Sequence, residues 1–513
     1  MPRVVTKSLA VAAVAAALAA LGIAGPAVGT DGSDGTAAAG GPVPRVSPGL
    51  AWGACPADLS GTLRCGTLAV PLDHEHPDGR TTTLAVSLAQ ATGRGPKAGT
   101  ILVNPGGPGG RGMWLAAAVQ QRLPADLRDR YDIVGIDPRG NGHSSPVQCV
   151  DTAVFDQAPK PDPVPRTEAD KQRLLDRART YAEGCAARGG DLLPHMSTAE
   201  NARDMDDVRA ALGEAKVSYL GWSYGTYLGA VYGQLFPQRV DKLILDSIVD
   251  PSPRGIWYGV NLDQDIAFQD RWREFTRWAG RHDDVLKLGA DAAAVEAAFG
   301  RVLAGVRAAP AGDIGPAEVY DMVTTAMYDD DQWRDLALAF AGYLAGDPAP
   351  LGKLYEPPSA VQANMTAVYT AVECNDAPWP RDWSVWNRDA DALNRANPIL
   401  TWPNTWLNAP CLFWKTPPRT PLPIDGRGLP GALLVQAEND AATPLAGGVA
   451  MHRALPASRL VTLRGEGNHG VLIFNPNDCV SDVAWAYLRD GTLPSADVVC
   501  AGGPEPDARE ANQ

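Results

Sequence analysis

The chain has 513 residues, a formal net charge of −14 and a sequence pI near 5.0. Phosphate binding needs clustered Lys and Arg, so this balance argues against nucleic acid as a partner and reads as solubility with a bias towards cationic ligands. Such a length fits one large domain with an insertion, or two domains.

The amino-terminal stretch places Arg3 and Lys7 ahead of an apolar run that ends in small residues, the layout of a signal peptide over residues 1–29 with cleavage between Ala27 and Thr30. The run is short for a bilayer and no basic cluster follows it, so a secreted protein with no stable membrane insertion is expected. Residues 30–48 are Gly, Ala and Pro with little to bury and read as a flexible leader. Eight cysteines, at 55, 65, 149, 185, 374, 411, 479 and 500, fit an oxidising compartment, and no C-x-x-C among them points to zinc. No metal or cofactor is expected. Of 105 possible connectivities the local one pairs sequence neighbours: Cys55 with Cys65, Cys149 with Cys185, Cys374 with Cys411 and Cys479 with Cys500.

"CGTLAVPLD" and "TTTLAVSLAQA" have strand length and apolar clustering, an antiparallel start to a sheet. "GTILVNPGGPGG" and "YDIVGIDPRGNGHSSP" are buried-strand runs stopped by turn residues, with the helical spacing of "MWLAAAVQQRLPADLRD" between them. Strand, helix, strand predicts a parallel α/β sheet. Residues 167–213 read as two helices, the second opening at a Ser/Thr cap with Glu200 in capping-box position. "KVSYLGWSYGTYLGAVYGQLFP" then reads as a strand, a sharp turn at Ser223 and a small-residue helix, and "VDKLILDSIVDP" as the next strand. This order resembles an α/β-hydrolase fold: a mostly parallel sheet whose first part covers residues 49–250. Over residues 251–410 helical spacing takes over, an inserted helical cap. The second part of the sheet follows over 411–500, with "GALLVQAENDAATP" and "SRLVTLRGEGNHG", and residues 501–513 read as a loose tail.

A lone G-x-S-x-G means little in a chain with 53 glycines. At a strand-to-helix elbow, however, small residues two before and two after the serine are a steric requirement, met by Gly221 and Gly225, and the hydroxyl sits at the positive end of the following helix. Serine needs a base and an orienting acid, which in this fold follow in the order Ser, acid, His. Of seven histidines only His282, His452 and His469 come after Ser223. His282 falls in the cap and His452 in a helix packing on the sheet, while His469 lies in a glycine-rich loop past a strand. Asp440, at the apex of the loop after the penultimate strand, is the favoured acid over Asp246 at the end of the preceding strand. Oxyanion donors are expected from the backbone amides of Tyr224 and Gly107, the latter in "NPGGPGG".

Together, "CGTLAVPLD", "NPGGPGG", "YDIVGIDPRGNGHSS", "YLGWSYGTYLGAVYGQLFP", "AVECNDAPWP", "LLVQAENDAATP" and "GEGNHG" resemble the secreted actinobacterial tripeptidyl aminopeptidases, relatives of the proline iminopeptidases among the α/β-hydrolase serine peptidases. The resemblance implies release of short peptides from free amino termini of peptides or proteins through an acyl-enzyme, with Ser223, Asp440 and His469 as the triad. Aminopeptidase action also demands a carboxylate for the substrate ammonium, for which Glu373, Asp376 and Glu438 are candidates. Six of the 14 tryptophans (379, 383, 386, 402, 406 and 414) crowd the end of the cap, as core or as subsite walls. Two other functions use the same scaffold: a secreted carboxylesterase on the same triad, and a non-catalytic binding protein.

Overall fold

The computed structural model describes residues 49–59 and 62–509, so the expected signal peptide and leader lie outside the described residues. Among these, one sheet comprises β1 (Ala51–Gly53), β2 (Arg64–Pro71), β3 (Thr81–Ala89), β4 (Gly99–Asn104), β5 (Tyr131–Asp137), β6 (Val217–Ser223), β7 (Val240–Ile248), β8 (Ala432–Ala437), β9 (Ser458–Arg464) and β10 (Val498–Ala501). Their spatial order is β1-β2-β3-β5-β4-β6-β7-β8-β9-β10. The pairs β1·β2, β2·β3 and β3·β5 are antiparallel, and every pair from β5 to β10 is parallel.

Burial follows from this arrangement. β2, near the edge, alternates exposed and buried residues, whereas every residue of β5 and β8 is buried, as a parallel strand covered on both faces must be. Adjacent residues serve opposite faces. Leu102, Tyr219 and Leu245 pack towards the helices Thr198–Ala211 and Tyr224–Leu235. Ile101, Leu220 and Ile244 pack on the other side, with Leu115 and Val119 of the helix Leu115–Arg122 and Val480 and Leu488 of the helix Asp478–Asp490. The carboxyl ends of β4, β6, β7, β8 and β9 therefore share one edge, where strand order reverses and α/β sheets place their sites.

Between β7 and β8 runs the helical insert, from the helix Tyr258–Arg281 to the short turn Ala409–Phe413, followed by an extended stretch to β8. It has its own core, in which Phe268, Trp272, Phe275 and Trp278 meet Phe299, Trp333 and Phe340. Truncating one such buried aromatic to Ala costs about 3–5 kcal/mol. The tryptophan cluster is packing: Trp379 stacks on Trp386 at 5.4 Å, and Trp406 stacks on both Trp383 and Trp402.

Four disulfides join Cys55 to Cys65, Cys149 to Cys185, Cys374 to Cys411 and Cys479 to Cys500, each a sequence-neighbour pair. Two local expectations fail. Ser197 Oγ does accept the Glu200 amide at 3.3 Å, but the Glu200 carboxylate turns to His74 Nδ1 at 2.6 Å, because a buried charge binds a cation more strongly than a cap amide. The tail is not loose as far as residue 509: Trp278 Nε1 and Arg334 Nε donate to the carbonyls of Pro506 and Ala508, and Ala508 is buried against the insert.

Candidate active site

β6 ends on Ser223, whose backbone adopts φ 56° and ψ −128°, and Tyr224 opens the following helix. A non-glycine residue there stores strain on the order of 1–3 kcal/mol, which the surroundings must impose. They do so by close packing. A β-carbon at Gly221 would lie 2.6 Å from the Gly225 carbonyl, and one at Gly106 would lie 2.8 Å from Ser223 Cβ and 2.6 Å from the Trp222 carbonyl. The loop after β4 thus rests directly on the elbow. Asn104 Oδ1 accepts the Gly106 amide at 2.9 Å, and Asn141 Nδ2 donates to the Gly109 carbonyl at 2.7 Å, holding the segment that contains Gly107.

Asp440 follows β8 and is buried. Its oxygens accept the amides of Ala442 and Thr443 and the Thr443 hydroxyl, and both lie within hydrogen-bond reach of His469 Nδ1, at 3.0 and 2.9 Å. Burial works to lower the His469 pKa, but the Asp440 charge and hydrogen bond outweigh it and the net shift is upwards. The histidine loop is fixed from below and above. Val471 and Leu472 donate their amides to Asp246, Gly470 donates to Ser247 Oγ, and the His469 amide donates to the Tyr328 carbonyl. The Tyr328 ring stands edge-on to the imidazole at 5.4 Å. Asn468 joins Asp330 and Arg271 of the insert, so the insert and the sheet hold the loop together. His452 bonds Ser458 Oγ instead, and His282 packs on Trp278.

The three carboxylates fall in different surroundings. Glu438 Oε2 accepts the Gly465 amide at 2.8 Å and ties the segments that follow β8 and β9. Asp376 accepts from the Thr198 amide and hydroxyl and from Trp257 Nε1, three donors of the fold. Glu373 is 4 % exposed and meets only Asn261 Nδ2, at 3.3 Å, and the Tyr369 phenol. Burial pushes its carboxyl up to about 8. Its helix, Ala360–Asp376, lies on the glycine loop: a β-carbon at Gly109 would come 2.5 Å from the Met365 carbonyl. Burial first, then the charge of Asp376 and, less, that of Glu373, push the Tyr224 phenol up.

Sequence reasoning missed Asp265, Tyr328 and Tyr369. Asp265 is 1 % exposed, accepts from Asn404 Nδ2 at 3.0 Å, and is pushed by burial to about 7. A charged residue on the apolar stripe of a long helix was the available signal, since the helix Tyr258–Arg281 buries Asp265 one turn from Phe268.

A serine on a strained elbow, a carboxylate-bound imidazole in the loop after β9 and a glycine loop against the serine can together run acyl transfer. The α/β hydrolase fold family matches residues 99–335, and the family of TAP-like proteins matches residues 397–500. The chain is 45 % identical to a tripeptidyl aminopeptidase of Streptomyces lividans over 88 % of its own length and 87 % of the relative's. It is 31 % identical to serine protease Hip1 of Mycobacterium tuberculosis, covering 86 % and 88 % of the two chains. Carboxylesterase B of Mycobacterium tuberculosis is 32 % identical, with 89 % and 91 % covered. Site geometry and likeness along nearly the whole described chain agree: the protein belongs to the tripeptidyl aminopeptidase family of α/β-hydrolase serine peptidases.

Proposed function

We propose that the protein removes short peptides, tripeptides foremost, from free amino termini through an acyl-enzyme on Ser223. His469 Nε2 takes the Ser223 hydroxyl proton as the oxygen attacks the scissile carbonyl, and then gives it to the leaving amine. Asp440 keeps the other ring nitrogen protonated and stabilises the imidazolium. The backbone amides of Gly107 and Tyr224 donate to the oxyanion; in known cases one lost donor costs about 2.7–4 kcal/mol. Water then attacks the Ser223 ester by the reverse path, with His469 again as base.

The observation that carries the exopeptidase reading is Glu373, a buried carboxylate on the helix that packs on the glycine loop, supplied only with neutral partners. An ester substrate has no cation for it; an amino terminus does. Among the three candidates, Asp376 and Glu438 are occupied by structural donors. Four disulfides support an oxidising compartment outside the cytoplasm. Likeness to a protein named carboxylesterase B favours a second reading, a general esterase on the same serine. Chromogenic tripeptide amides with free and acetylated amino ends, run beside a short-chain ester, separate the two. Turnover of the free-amine tripeptide well above its acetylated form supports the first; equal turnover, with the ester fastest, leaves the second.

A further inference from the structure

We infer that Asn141, in the turn after β5, is a positioning residue for the oxyanion hole, and that Asn364 of the insert sets Asn141 in turn. This rests on the acyl-transfer reading of Ser223 above and applies to peptide and ester substrates alike, because both pass through the same oxyanion.

The segment that carries the Gly107 amide has little stiffness of its own. Gly107 and Gly109 sit at φ 115° and 100°, a backbone region that side chains disfavour. Oxyanion donors act best when they are aimed before the reaction begins, so such a loop needs holds from outside. Three side chains supply them. At the start, Asn104 Oδ1 accepts the Gly106 amide. At the end, Asp137 Oδ1 accepts the amides of Gly112 and Met113 at 2.9 and 3.1 Å. Between them, Asn141 Nδ2 donates to the Gly109 carbonyl at 2.7 Å, and the Gly110 amide closes back on the Gly106 carbonyl at 3.0 Å.

Asn141 holds this place at a cost to the fold. It is fully buried, and its Oδ1 finds no donor among the described residues. A polar atom buried without a partner is destabilising. The Gly109 carbonyl can only accept, so turning the amide over gives no relief. Packing alone is served better here by an apolar side chain of similar size; what Asn141 adds is one donor on the oxyanion segment.

Asn364 fixes the turn around Asn141. Its Nδ2 donates to the carbonyls of Gly140 and Val147 at 2.8 and 2.7 Å, and its Oδ1 accepts the Gly142 amide at 2.8 Å. One side chain of the helix Ala360–Asp376 thus holds the residues on both sides of Asn141. The next residue, Met365, sets its carbonyl directly against Gly109. The insert therefore reaches the oxyanion segment twice, and an insert that shifts takes the Gly107 amide with it.

The test measures kcat and KM of the mature protein for a tripeptide amide and a short-chain ester. Beside these stand the inhibition constants of a tripeptide aldehyde, whose hemiacetal with Ser223 carries the oxyanion, and of the free tripeptide, which forms none. Asn141→Leu is expected to lower kcat about 10- to 100-fold on both substrates and to weaken the aldehyde by the same factor. KM and free-tripeptide affinity are expected to stay within about threefold, and the melting temperature to hold or rise as the stranded Oδ1 is removed. A residue that only supported the fold would show the reverse, a lower melting temperature with kcat intact. Asn364→Leu is expected to give the same kinetic pattern in weaker form, and it carries the comparison if Asn141→Leu does not fold. Wild-type kcat and aldehyde affinity in the folded variant overturn the inference, as does an equal loss of aldehyde and free tripeptide, which marks a distorted pocket. Failure of the acyl-transfer reading looks different: Ser223→Ala then keeps its turnover, or binds the aldehyde as tightly as wild type.

Discussion

Asp246, at the end of β7, accepts the backbone amides of Val471 and Leu472 at 3.1 and 2.7 Å, so it grips the histidine loop while Asp440 faces the imidazole. The two acids therefore separate kinetically. Asp440→Asn is expected to lower kcat by about 10⁴, the scale of removing the orienting acid from a serine triad. Asp246→Asn sets an amide N–H₂ against backbone donors and misplaces the loop, lowering kcat about 10- to 100-fold and melting temperature with it. Steady-state kinetics and thermal melts of both variants check this; a larger loss in Asp246→Asn reverses the assignment.

Ser223→Ala is expected to remove activity on tripeptide amides and esters alike, with a residue below about one thousandth of wild type. The fold is expected to keep its stability or gain some, because Ala is smaller at a strained position whose hydroxyl has no structural task here. A serine-directed phosphonate followed by peptide mapping should modify Ser223 alone. Label on another serine contradicts the site.

Substrate affinity is expected to depend on pH through Glu373. Its carboxyl is neutral below about 8 and binds an ammonium weakly there; as pH rises through that value it ionises and KM for free-amine tripeptides falls. Above it the substrate amine loses its own proton and KM rises again. KM for the acetylated tripeptide is expected to stay flat from pH 6 to 9. A KM profile that is the same for both substrates excludes Glu373.

Stability carries the opposite sign. The folded pKa of Glu373 lies above its unfolded value, so the native state holds the extra proton between about pH 4 and 8 and loses stability as pH climbs through that range. Glu373→Gln is expected to be more stable than wild type at pH 8, on the order of 1 kcal/mol or more, and to match it near pH 4. Denaturant melts at the two pH values decide; equal stability at both means that Glu373 ionises without penalty.

The bond from Cys374 to Cys411 anchors the helix that carries Glu373 to the turn at the end of the insert. Cys374→Ala with Cys411→Ala is expected to cost less than the 2–5 kcal/mol typical of small domains. It should also weaken discrimination between free and acetylated substrates more than ester turnover, because Glu373 adjoins the lost anchor. Peptide mapping without reductant should recover this pair and the one from Cys479 to Cys500.

Ser223, Asp440 and His469 could be proposed as a triad from the chain because each sits where local chemistry and element order are tied together. A serine between Gly221 and Gly225 marks an elbow, and of the three histidines after it only His469 lies in a glycine loop that follows a strand, which leaves one place for the base. The sheet core was legible for a similar reason, since parallel strands covered on both faces need unbroken apolar runs such as those of β4, β5 and β8. Neighbour pairing of cysteines was local too. What the sequence could not rank were acids whose meaning depends on partners far along the chain. Asp376 meets its donors on Thr198 and Trp257, and Glu438 its donor on Gly465, only in the fold. The pKa of Asp265 is raised by its burial alone, and Asn404, the residue whose hydrogen bond partly opposes that shift, comes 139 residues later. A carboxylate looks the same in any sequence window; its hydration, its donors and therefore its charge are decided by packing between segments that only the tertiary structure brings together.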